Sequence, residues 1–213
     1  MHAPASLVID RTSVTARGKK LLDLPTDRSA GVDAKDKRPN ANEDDYVTAV
    51  FDEFAKAPRP SVLTIEVDDD TPYRVLFEIL FTLHQLHISR WNLRRKNRSE
   101  ELVVESPAAP LDSESKVIWM GLFDVGVSIR STSGKIQTGC DGIGPGFAVP
   151  NKDGAFDLGA LAACTRKLAA TSQLGTHGMV VSAPRATPFA QVWDVIEAAR
   201  NDTYRDVVFA MFT

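Results

Sequence analysis

Val62-Leu-Thr-Ile-Glu-Val-Asp-Asp-Asp-Thr-Pro-Tyr73, followed by Arg74-Val-Leu-Phe-Glu-Ile-Leu80, is the stretch on which the fold turns. It opens as a short β-branched, apolar run, which predicts a buried strand, and passes through a polar loop with three aspartates. Proline at the first turn then suits a helix start, where a missing N–H costs nothing. Val75, Leu76, Ile79, Leu80 and Leu83 follow at helical spacing. The stretch recurs as Met179-Val-Val-Ser-Ala-Pro-Arg-Ala-Thr-Pro-Phe189, then Ala190-Gln-Val-Trp-Asp-Val-Ile196. Without a gap, Tyr73 faces Phe189, Phe77 faces Trp193 and Glu78 faces Asp194, at an offset of 116 (187 − 71). Gly18-Lys19 and Gly134-Lys135 lie at the same offset (134 − 18). Two anchors at one spacing predict a duplicated unit.

Working outward, each unit reads as strand, helix, strand, helix, strand. The first strands are expected over 6–15 and 125–131, and the first helices over Glu43–Lys56 and Asp157–Ala170, with Asp157 placed to cap its helix. The middle strands are Val62–Val67 and Met179–Ala183, and the last are Ser89–Leu93 and Asp206–Phe212. Val117–Phe123 is expected as an added edge strand. The predicted class is α+β: two similar β-α-β-α-β units, each a small mixed sheet with two helices on one face. Residues 1–98 form the first unit, 99–116 a Ser-, Glu- and Pro-rich connector containing Pro107 and Pro110, and 117–213 the second.

Composition limits the classes of function. Of 213 residues, 25 are basic and 28 acidic, for a formal charge of −3, which speaks against a general nucleic-acid binder. Hydrophobic residues at 43% and charged residues at 25% are ordinary for a globular chain. Cys140 and Cys164 allow one disulfide at most, and the sequence leaves open whether they pair. No run approaches the ~18 apolar residues a membrane span needs, and the start lacks the basic and apolar regions of a secretory signal. A membrane anchor, if the natural protein has one, is expected outside this sequence.

The unit resembles the periplasmic domain of the ExbD/TolR family, the biopolymer-transport proteins of proton-driven envelope motors. The resemblance rests on the apolar strand, the polar loop and the Pro-Tyr or Pro-Phe entry to a helix in both copies. Val149-Pro150 with Asp157 and Leu161 adds to it. It implies a non-enzymatic domain held at the bacterial inner membrane and facing the periplasm, with an ExbB- or TolQ-like channel protein and a periplasmic or cell-wall partner. The proton-responsive aspartate of that family sits in a membrane helix, so no residue here inherits its role. Family members carry one such domain and dimerise. Two in tandem imply a covalent pseudo-dimer, with self-association also possible. Protein transport, envelope integrity and gliding motility are all compatible with the resemblance.

Other readings come from particular residues. Tyr73, Phe77, Phe81, Phe189 and Trp193 widen the apolar stripe of the second helices beyond one face, as a contact between units or with a partner would require. Arg90, Arg94, Arg95, Lys96 and Arg98, beside Trp91, are the basic run that an anionic polymer such as peptidoglycan would use. That run supports an alternative, an anion- or cell-wall-binding module. A small-molecule enzyme with a site between the units is a further alternative. Asp68-Asp69-Asp70 suits a hard cation, but the second copy has Pro184-Arg185-Ala186. His84 and His87 lack a third ligand in sequence, and Gly139, Gly142, Gly144 and Gly146 do not lead into Gly-Lys-Ser/Thr. No metal, cofactor or catalytic residue is expected.

Overall fold

The computed structural model describes residues 6–40, 43–56, 62–96, 98–105, 117–170 and 178–211. The chain is α+β and divides into two compact units. One comprises Met1–Ala108 with the segment Arg185–Ala190; the other comprises Ala109–Pro184 with Gln191–Thr213.

In the first unit the strands are β1 (Ser6–Ile9), β2 (Ser13–Ala16), β3 (Lys19–Asp23), β4 (Lys37–Asn40), β5 (Glu43–Val47), β6 (Leu63–Val67), β7 (Arg90–Arg95) and β8 (Glu101–Glu105). The helices are α1 (Thr48–Ala55) and α2 (Tyr73–Gln85). The sheet order is β8-β7-β6-β1-β2-β3, with β4 and β5 paired separately. β1, β6 and β7 run parallel, and β2 and β8 are antiparallel to their neighbours. Each passage through a helix, from β3 to β6 and from β6 to β7, moves across the sheet in the same direction. Right-handed crossings therefore place α1 and α2 on one face, and the two helices touch. Leu63, Ile65 and Val67 point into the core beneath them, in period-two alternation with half-buried Thr64 and Glu66.

In the second unit the strands are β9 (Val117–Phe123), β10 (Gly126–Ser131), β11 (Gly134–Lys135), β12 (Val149–Pro150), β13 (Gly178–Ser182) and β14 (Asp206–Ala210). The helices are α3 (Leu158–Ala170) and α4 (Phe189–Ala199), the latter from Gln191 onward, its first two residues belonging to the segment assigned to the first unit. The order is β14-β13-β9-β10-β11, with β12 also on β10. β9, β13 and β14 run parallel, and β10 is antiparallel to β9. β7-β6-β1-β2-β3 and β14-β13-β9-β10-β11 thus share order and strand directions.

Several sequence expectations change. Val117–Phe123 is an interior strand, not an added edge: β9 lies between β10 and β13 and buries Ile118, Met120 and Leu122. The register explains why a fixed offset missed it. Ile65 opposes Leu7, whereas Val181, 116 residues on, opposes Met120, only 113 residues from Leu7 (120 − 7). Gly18 (φ +78°) therefore turns β2 into β3, while Gly134 sits within β11 opposite Ser131. The second Gly-Lys anchor is not an equivalent position. The helix expected over Glu43–Lys56 begins only at Thr48, because Glu43–Val47 pairs with Lys37–Asn40. Arg38 lies over the Tyr46 ring at 5.9 Å there. Glu101–Glu105 forms β8 inside the stretch read as connector, and residues 106–116 and Phe212 lie outside the described residues.

Candidate functional site

The Thr-Pro-aromatic motifs are built first. After β6, Asp68 closes a turn by accepting the Thr71 N–H on its carbonyl (3.0 Å) and the Asp70 N–H on its side chain (3.1 Å). Pro72, extended at φ −63°, ψ 143°, sets the entry to α2. The first N–H groups of a helix have no partner within it. Here the segment 185–190 of the same unit supplies them: Tyr73 N–H donates to Thr187 O (2.8 Å) and Arg74 N–H to Arg185 O (3.1 Å). In return, Phe189 N–H donates to Thr71 O (2.8 Å) and Ala190 N–H to Asp69 O (3.0 Å), across a Pro72–Pro188 bridge. Shifting either pair of bonds by 116 residues gives the other pair. Tyr73 and Phe189 are brought together through their backbones, and both side chains are fully buried. Phe77 and Phe81 are half-buried, and Tyr73, Phe77 and Phe81 follow one another along α2 at 6.4 Å between ring centroids. Trp193 is buried in the second unit.

α2 also carries a buried carboxylate that the sequence reading used only as an alignment partner. Glu78, 2% exposed, accepts from the Val32 N–H (2.8 Å) and Lys37 Nζ (2.7 Å), and from Arg74 one turn earlier. A buried carboxylate needs such a set, because desolvation disfavours its charge. Gly31 (φ +91°) lies against it so closely that a Cβ there would stand 2.6 Å from both carboxylate oxygens. One turn on, Thr82 Oγ1 donates to Glu78 O (2.7 Å) and accepts the Val47 N–H (2.8 Å), which fixes the entry to α1. The Arg74–Glu78 spacing of four was the one visible signal.

The basic run meets acids from neighbouring strands. Arg94 pairs with Glu66 at 2.7 Å, and Arg95 is bidentate on Asp69, with both bonds at 2.6 Å. Lys96 reaches both oxygens of Asp10 at 2.9 Å. Arg90 stands 3.9 Å from Glu105, and Arg98 is exposed. The Arg95 hydrogen bonds hold the Asp69 carboxyl below its usual range, as the Lys96 bond followed by the Arg11 N–H does for Asp10. The bond to Asp10 raises Lys96. Asp70 of the acidic triplet pairs with Arg11 and its carbonyl accepts from Arg28 (3.1 Å). Most of this run therefore closes the carboxyl ends of β1, β6 and β7 instead of presenting uncompensated positive charge. His87 has a structural role: at φ +60° it ends α2, with its N–H on His84 O (2.7 Å) and the Ile88 N–H on Leu83 O (3.1 Å).

In the second unit, Asp157 caps α3 through the Ala160 N–H (2.9 Å), and Cys164 of that helix is disulfide-bonded to Cys140. A cavity of about 430 Å³ opens beside α3 and α4, lined among others by Phe123, Asp124, Asn151, Phe156, Gln191 and Asp194. No family model, curated protein or solved structure matches the chain.

Proposed function

We propose that this chain is the periplasmic, non-enzymatic domain of an ExbD/TolR-like component of a proton-motive-force-driven envelope motor, held at the inner membrane. It passes conformational change from an ExbB- or TolQ-like channel protein to a partner in the periplasm or cell wall. The observation that carries this reading is the strand, polar loop, Pro-aromatic and helix pattern occurring in two units of the same strand order and directions. Within the first unit, Asp69–Arg74 and Arg185–Ala190 exchange backbone hydrogen bonds in a pattern that fits one motif occurring twice in the chain. The Cys140–Cys164 disulfide supports an oxidising compartment such as the periplasm. No helix among the described residues is long and apolar enough to cross a membrane.

The compartment is tested by alkylating intact cells with a maleimide, with and without prior reduction. The proposal expects both cysteines to be protected until reductant is added. Two free thiols in unreduced cells would overturn it.

A further inference from the structure

We infer that the Cys140–Cys164 disulfide is a redox latch: a dithiol that exchanges with it releases the 138–146 loop from α3 while the second unit stays folded. The inference goes beyond the motor reading and does not depend on it. It starts from what holds the loop. Of residues 138–146, Cys140 alone is buried, and Ile143 is 53% exposed. A segment with so little buried apolar surface opens at low free energy unless something ties it down. The disulfide ties its tip to α3, and so does an ion pair of Lys167 with Asp141. Both side chains of that pair are exposed, and exposed pairs contribute little. The backbone adds to this. Cys140 is held at φ +60°, beside Gly139 at φ +79°. The left-handed conformation is disfavoured for a residue with a Cβ, so a cut bond leaves the turn without what offsets it.

A second cavity of this unit, about 450 Å³, lies between the tip and α3, lined among others by Gly139, Ala148, Val149, Ala160, Ala163 and Cys164. Both cysteines are buried, so a reductant reaches the bond through this cavity, on whose wall Cys164 lies. The exchange is an ordinary two-step displacement. A thiolate of the dithiol attacks Cys164 Sγ and forms a mixed disulfide; the old S–S bond breaks, and Cys140 leaves as a thiolate. The second thiolate of the reductant then attacks its own sulfur in that mixed disulfide, and Cys164 leaves in turn. Two electrons pass from the dithiol to the protein, and the two protons lost by the dithiol end on Cys140 and Cys164. Release of the tip uncovers the side of α3 that carries Ala160, Ala163 and Cys164.

Dithiothreitol is the probe, added to the full chain without denaturant. Alkylation followed by mass measurement should show the bond reduced at least tenfold faster than the chain unfolds globally. Backbone relaxation of the reduced protein should then report where order is lost. Gly139, Cys140 and Gly144, whose N–H groups donate to the Ala148, Gln137 and Lys135 carbonyls, lie in the released loop. Their order parameters should fall from about 0.85 to below about 0.6, while the β13 amides keep theirs. Cys140→Ser/Cys164→Ser should show the same pattern with no reductant present. Reduction no faster than global unfolding would overturn the inference. So would unchanged order at the three loop amides after reduction, or an equal loss of order in β13.

Discussion

At the scale of single residues, Glu78 is the side chain on which the first unit most depends. Truncating one member of a buried, hydrogen-bonded charge set leaves the others unpaired, at a cost of about 3–5 kcal/mol. Glu78→Ala is therefore expected to lower unfolding stability by about 4 kcal/mol in urea. Gly31→Ala is expected to lose at least ~2 kcal/mol, since its Cβ enters the carboxylate's space at a positive φ. A loss below about 1 kcal/mol for both would remove Glu78 from the core account. The pH response follows from the pairs at the strand ends. Asp69 and Asp10 have folded values below the ordinary ~3.9, so their stabilisation is present above that value and is lost as pH falls through the lower folded ones. Lys96 has the opposite sign: its contribution is intact below ~10.4 and is lost as pH rises through its raised value. Asp69→Asn should flatten the acid limb of a stability–pH curve below about pH 4 while leaving the alkaline limb unchanged. An unaltered acid limb would contradict the pairing. Sequence showed Arg74 and Glu78 one helical turn apart, yet Lys37, Val32 and Gly31 lie more than forty residues away. Only the packed fold brings them together.

At the scale of elements, the helices with proline entries and the apolar middle strands were legible because local pattern and tertiary environment agree there. The disagreements have local causes. Glu43–Val47 continues the hydrophobic spacing of α1 but is drawn into a hairpin with Lys37–Asn40, and pairing outweighs weak helical propensity. The acids that compensate the basic run were not legible, because Asp10, Glu66 and Asp69 come from other strands and not from the acidic segment that follows it. The helix end at His84–His87 was expected, but not the way it is made: a non-glycine residue, His87, adopts the left-handed conformation there. His87→Gly should raise stability by about 0.5–1 kcal/mol by relieving that conformation, and a loss of stability would show that the imidazole contributes more than its backbone costs. The disulfide fastens the turn at Thr138–Cys140 to α3 across 24 residues. Cys140→Ser/Cys164→Ser should cost about 3 kcal/mol relative to the oxidised protein, the loop entropy restored to the unfolded chain. Reductant should produce the same loss in the wild type and none in the variant.

At the scale of the whole molecule, the account rests on one strand-and-helix module appearing twice. The Thr-Pro-aromatic motif and its offset led to that reading from sequence. The front of each unit did not obey the same spacing, because the turn between β10 and β11 lies two residues farther along its strands than the turn between β2 and β3. Strand order keeps a topology through such changes; a fixed numerical offset does not. Phe77 and Phe81 are half-buried on α2, beside the conserved geometry of the motif within this chain, and so are the positions to probe for a partner. The most direct measurement places a photocrosslinking amino acid at Phe81 in cells and compares irradiation before and after a protonophore. The account predicts a crosslink to an envelope protein whose yield changes at least severalfold when the proton gradient collapses. A crosslinking pattern indifferent to the gradient, from a chain recovered with reduced cysteines, would contradict it.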